Sequence, residues 1–206
     1  MSLLVGAIGA IVTAAVAVVK NLSIIGVAIQ GLKTLASALM GIAKALGLVK
    51  SERPVEDLGD KALQAEDKGI LPENYDSYAE YVRAVENFET DPERSKKISE
   101  DEKVKKGFEL LAGVVIEEFP QFPMGDFIVY AGKNPEYFNG SRMAEFGKLL
   151  ETDPSKMADL YSYMTQRPLS DEKQIKVLNE LIEIEKTVDP LISDSDAFDN
   201  ALSSRQ

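Results

Sequence analysis

Between Leu3 and Val19 the only polar side chain is Thr13. As a helix this run would rise about 25 Å at ~1.5 Å per residue, which reaches the lower limit for crossing a bilayer. Lys20-Asn21-Leu22-Ser23 interrupts it, and Ser23 can cap a second helix, so a break or hairpin turn is expected there. In the second segment Gln30, Lys33, Thr34, Ser37 and Lys44, with Gly41 among them, recur at steps of three and four on one narrow stripe. They leave a wide apolar arc of Ile25, Ile29, Leu32, Leu35, Leu39, Ile42, Leu46 and Leu48, the pattern of an amphipathic helix ending near Gly47.

Ser51-Glu52-Arg53-Pro54 ends this arm, because proline cannot continue a helix and pushes its predecessor toward extended backbone. Beyond it the punctuation is helical. Tyr78, Tyr81, Val82, Val85 and Phe88 share one face after Asp76 or Ser77 as cap, and Ser99 to Glu102 form a capping box ahead of Val104, Phe108, Leu111, Val115 and Phe119. Ser141 precedes Met143, Phe146, Leu149 and Leu150; Asp153-Pro154 precedes Met157, Leu160, Tyr161 and Met164; Ser170 precedes Ile175, Leu178, Leu181 and Ile182. No sustained period of two occurs, so strands are not expected. The predicted class is all-α, a hydrophobic N-terminal helical arm or hairpin followed by an acidic multi-helix globular domain. Residues 1–50 form the arm, 51–70 a linker with a short helix, 71–190 the acidic domain and 191–206 a polar tail. Glu-Thr-Asp-Pro occurs at Glu89 and again at Glu151, which reads as two Asp-Pro helix starts rather than a duplication.

Charge sharpens the division. All 15 aromatic and all 34 acidic residues follow residue 50, so the arm carries +4 from Lys20, Lys33, Lys44 and Lys50 while the remainder carries −15 of the total −11. An acidic body repels phosphate backbone, so nucleic acid is not expected as a partner; the negative surface instead keeps a sticky chain soluble. The absence of Cys excludes disulfides and thiolate metal sites, and the absence of His removes the usual proton-transfer group near neutrality and the commonest transition-metal ligand. A secretory leader would carry a basic residue ahead of its apolar run, and none stands before Leu3, while a second apolar segment follows at once.

Candidate chemistry is correspondingly thin. Runs such as Glu100-Asp101-Glu102 and Glu117-Glu118 read as solvated faces, because acid–base work needs carboxylates held in a pocket. Asp194-Ser195-Asp196 opens like a calcium loop but places Asp199 where the sixth position requires Gly and Arg205 where the twelfth requires Glu. Gly132 and Gly140 stand alone, with no Gly-Lys-Ser or Gly-Lys-Thr after them, so no phosphate loop is expected. Phe119-Pro120-Gln121-Phe122-Pro123-Met124-Gly125 reads as a buried crossover whose phenylalanines plug the core, with a docking surface as the other reading. No catalytic, cofactor-binding or metal-ligating residue is assigned, and the chain is expected not to be an enzyme.

What remains is the destination of the arm. Its apolar surface is worth roughly 25 cal/mol per Å² when removed from water, so it must enter a bilayer, pack on other copies or cover the rest of the chain. Gly6, Ala10 and Ala14, and again Ser37 and Gly41, place small side chains at helical spacing, which lets helix backbones approach closely. The candidate oligomer or membrane contacts are therefore Gly6, Ala10, Ala14, Ile25, Ile29, Leu32, Leu35, Ser37, Leu39, Gly41, Ile42 and Leu46. The mixture of Gly, Ala, Ile and Leu with rare lysines is similar to the hydrophobic segments of phage tail tape-measure proteins and to the hairpins of conjugative pilins, a likeness of composition over fifty residues that carries no individual residue across. The expectation is a non-enzymatic structural component of a virion-, tail- or secretion-type assembly, a homo-oligomer or part of a larger one; the alternative is a membrane-active protein inserting the arm into a lipid bilayer.

Overall fold

The computed structural model describes residues 2–50 and 53–205. Eleven α-helices and no strand occur among them, with helix accounting for 73 % of the structure. The helices are α1 (Ser2–Ile24), α2 (Ile29–Ala45), α3 (Val55–Glu66), α4 (Tyr78–Glu86), α5 (Pro92–Ser95), α6 (Glu100–Glu118), α7 (Met124–Lys133), α8 (Gly140–Thr152), α9 (Pro154–Met164), α10 (Asp171–Val188) and α11 (Asp194–Ser203), with a 3₁₀ turn at Pro72–Asn74. The chain divides into two compact units, Met1–Lys133 and Asn134–Gln206. The division falls at residue 133 rather than near residue 50, because the first two helices pack on α6 and α7.

The first unit is organised around α6. Its capping box fixes the start, with the Ser99 hydroxyl accepting from the Glu102 N–H and the Glu102 carboxylate accepting from the Ser99 N–H at 3.0 Å. From Val104 to Val115 it is buried nearly all the way round, as a helix must be when neighbours surround it; α1, α2, α3, α4 and α7 all lie against it. The approach of α3 is the closest. A Cβ on Gly59 would sit 1.8 Å from the Lys103 carbonyl oxygen, and one on Gly107 would sit 2.0 Å from the Val55 carbonyl oxygen, so the two helices touch backbone to backbone where only glycine fits. Beside that crossing, the buried Gln64 donates to Asp60 at 3.0 Å and to Ser95 at 3.0 Å and accepts from the Asp91 N–H at 2.8 Å, while Lys103 pairs with Asp60 at 3.2 Å. Burial pushes the Asp60 carboxyl up, but the hydrogen bonds of Ser95, Gln64 and Lys103 outweigh it and hold the group below its ordinary value.

Phe122 is buried edge to face with Phe127 at 5.8 Å, and Met124 is buried beside them, so the aromatic connector serves the core. The expected break at Lys20–Ser23 comes later: α1 runs on to Ile24, since the Ser23 hydroxyl donates back to the Val19 carbonyl at 2.9 Å instead of capping a new helix. Gly26, at φ +81°, then allows the Val27 N–H to reach the Leu22 carbonyl at 3.0 Å and close the helix end. Gly47, at φ +67°, closes α2 in the same way through Leu48 N–H to Ala43 carbonyl at 2.8 Å.

In the second unit Asn139, not Ser141, caps α8, accepting from the Arg142 N–H at 3.0 Å. Both Asp-Pro sites start helices, Asp91 ahead of α5 and Asp153 ahead of α9. Residues 194–203, expected as part of a polar tail, form α11, capped by Ser193 and packed on α10 through Ala197 and Ala201. Glu185 on α10 is 1 % exposed and receives both Arg142 Nε at 2.7 Å and Nη2 at 2.6 Å, with Asn200 Nδ2 at 3.2 Å. A bidentate buried pair thereby ties α8, α10 and α11 together. The Arg142 guanidinium also lies over the Tyr137 ring, 4.8 Å from its centroid, and burial with the nearby Glu185 charge raises the Tyr137 phenol above its ordinary value.

Candidate functional site

The outer face of α1 is the candidate site, and it arises because the helix has apolar residues on both sides but only one side to bury. Ile8, Ala15, Val18 and Leu22 follow the three-and-four spacing of a single stripe and are buried. Two of them dock on α7 at glycines seven residues apart: a Cβ on Gly125 would meet Val18 Cγ2 at 3.2 Å, and one on Gly132 would meet Leu22 Cδ2 at 2.3 Å. These glycines are slots for the first helix. Of Ala7–Ile24 only 22 % is buried, although this is a helix long and apolar enough to cross a membrane.

The exposed residues of this window are Ala7, Gly9, Ala10, Thr13, Val16, Ala17, Lys20, Asn21, Ser23 and Ile24. Gly9, Thr13 and Ala17 stand four apart, and nothing lies within 4 Å of a Cβ placed on Gly9. Thr13 does not make the surface wet in the usual way, because its hydroxyl donates to the Gly9 carbonyl at 2.8 Å. With Ser23 turned onto Val19 as well, the outward hydroxyls are satisfied within the helix. The face therefore offers small side chains, close access to backbone and little hydrogen-bonding demand until Lys20, a chemistry suited to another helix or to hydrocarbon. At the turn between α1 and α2, Ile24 is 71 % exposed and Ile25 39 %.

The sequence-derived contacts separate into two groups on this framework. Leu32, Leu35, Leu39 and Ile42 are buried in the first unit, on the α2 face that packs on α6. Ala10, Ile25, Ser37 and Gly41 are exposed, and Ala14, Ile29 and Leu46 are half-buried. The side-chain surroundings of Gly6 lie outside the described residues. On α2 the polar stripe faces outward, with Thr34 and Ser37 donating to the Gln30 and Lys33 carbonyls at 3.1 and 2.9 Å. Lys33 is held by Glu100 at 2.5 Å and Glu56 at 3.2 Å, and these carboxylates raise its pKa and fasten α2 to the starts of α6 and α3.

Sequence reasoning did not separate the two sides of α1, since hydropathy is alike on both; the row Gly9, Thr13, Ala17 and the receiving glycines of α7 needed the packing. Seven-residue spacing of Gly125 and Gly132 was the available signal. No known protein family, curated protein or solved structure matches this chain.

Proposed function

We propose that the protein is a non-enzymatic structural or assembly component in which the outer face of α1 packs against the same face of a second copy. The observation that carries this reading is a predominantly apolar helix with only 22 % of the residues of Ala7–Ile24 buried within its own chain. Exposed apolar surface of that kind marks an interaction site, and the row Gly9, Thr13, Ala17 favours a helix as occupant because small residues bring two backbones into dispersion contact. The lysines of the arm and the −15 remainder fit an assembly kept soluble by its exterior. A virion-, tail- or secretion-type particle is the setting that the arm's composition suggests, and the lack of His and Cys supports a non-catalytic role.

Membrane insertion of α1 is the second reading, favoured by the length of its apolar window and by the exposure of Ile24 and Ile25. Bulk distinguishes the two. Gly9→Leu with Ala17→Leu fills the row and separates paired helices, while it makes the face more lipophilic. Assembly by helix packing loses association in this variant, measured by native mass; insertion retains or gains vesicle binding and dye leakage. A monomeric wild-type chain that leaks vesicles, with leakage increased by the leucines, would replace the first reading with the second.

A further inference from the structure

The chain carries 34 carboxylates and 23 Lys and Arg, and a number of those cations make no ion pair among the described residues. Three such cations, Lys50, Lys61 and Arg83, meet at one cleft of about 460 Å³ together with Arg53; among the described residues none of the three pairs with a carboxylate. They come from separate segments: Lys50 and Arg53 from the connector before α3, Lys61 from α3 with the buried Leu58 as floor, and Arg83 from the last turn of α4. Lys61 Nζ is committed to the Glu86 carbonyl at 2.5 Å, where it neutralises the end of α4. The Glu86 carboxylate is the one acidic group among these lining residues, and it accepts the Lys50 backbone N–H at 3.0 Å. A carboxylate lining the same cleft as these cations indicates which ligand chemistry the cleft suits.

We propose that this cleft binds a phosphate group. Among the described lining residues four cations stand against the single carboxylate of Glu86, an excess suited to a phosphate or pyrophosphate. The Arg83 guanidinium supplies a planar donor fork for phosphate oxygens, and the volume lies within the roughly 300–1,000 Å³ of small-molecule sites. The acidic surroundings select against an extended polyanion such as nucleic acid. The phosphate can belong to a soluble molecule or to a lipid headgroup, and this inference stands apart from the role of α1.

The test titrates pyrophosphate into the full-length protein, followed by amide chemical shifts, and in parallel measures co-sedimentation with phosphatidylcholine vesicles with and without phosphatidic acid. Saturable shifts confined to the segments around Lys50, Lys61 and Arg83 are expected. Lys50→Gln with Arg83→Gln removes two exposed cations without touching Lys61 and should weaken binding at least about tenfold, while Glu86→Gln should strengthen it. Pyrophosphate binding lost in the double variant identifies a soluble ligand; phosphatidic-acid-dependent sedimentation lost in the same variant identifies the headgroup. No saturable response to either probe, or one unchanged in a double variant with native circular dichroism, overturns the site.

Discussion

Gly59→Ala adds a single methyl group at the crossing of α3 and α6 and should be among the most damaging small changes in the chain. The new Cβ would lie 1.8 Å from the Lys103 carbonyl oxygen and 2.7 Å from the Gly107 nitrogen, where ordinary non-bonded contact is about 3.5 Å. Both obstacles are backbone, so no side chain can rotate aside and the helices must separate by well over an ångström. That separation also draws Asp60 away from Lys103, now 3.2 Å apart. Overpacking costs roughly 1–3 kcal/mol, with the upper end apt for a backbone clash, and alanine returns about 1 kcal/mol of helix propensity. The net loss is about 2 kcal/mol, which lowers the melting midpoint of a chain this size by roughly 4–8 °C. Gly41→Ala is the matched control: it is helical and exposed with nothing within 4 Å of the added methyl, so it should gain about 0.5–1 kcal/mol. Thermal melts of the two variants by circular dichroism decide the matter; a Gly59→Ala midpoint equal to or above wild type would show that α3 and α6 do not cross this closely.

Other outcomes follow from the buried polar groups and the docking of α1. Asp60 has a folded pKa below its ordinary value, so its contribution to stability is complete above the unfolded carboxyl range and is lost as pH falls through the folded value; Asp60→Asn should flatten the acid limb of a urea midpoint-versus-pH curve. Lys106 is half-buried, which pushes it down, yet Glu109 and Glu66 raise it above 10.5, so its contribution is complete below that pH and fades in strong alkali, an effect that Lys106→Met should abolish. Glu185→Ala strands the Arg142 guanidinium and should cost about 3–5 kcal/mol, whereas Glu185→Leu with Arg142→Met should recover most of it, as read from hydrogen exchange in α10 and α11. Gly132→Val fills the slot occupied by Leu22; amide protection should fall at the end of α1 while α3 stays protected, and uniform loss would mean that α1 is integral to the unit's core.

Local signals carried the helical class and most element starts. Ser77, Ser99, Asp153 and Ser170 cap helices where their side-chain oxygens and the apolar spacing behind them indicated, and the polar stripe of α2 faces outward as its period required. Association between elements was far less readable. Gly59 and Gly107 look like weak points in helical segments until the crossing between them is seen, because sequence reports a glycine's propensity and not what approaches it. The apolar arc of α2 has the same spacing whether it meets α6 or a neighbouring chain, so periodicity alone left Leu32, Leu35, Leu39 and Ile42 without a defined partner. Residues 194–203 were obscured by acidic side chains that serve the first turn of α11, where Asp196 donates its N–H to the Ser193 hydroxyl at 3.1 Å. The cationic cleft draws Lys50, Lys61 and Arg83 from positions far apart in the chain and has no linear motif.

The exposed row on α1 is tested most directly by the native mass of the full-length protein at micromolar concentration, with and without mild detergent. Self-packing through Gly9, Thr13 and Ala17 should give a discrete particle heavier than the 22.6 kDa chain in the absence of detergent, reduced to monomer by Gly9→Leu with Ala17→Leu. A soluble, detergent-independent 22.6 kDa monomer for the wild-type chain would contradict it.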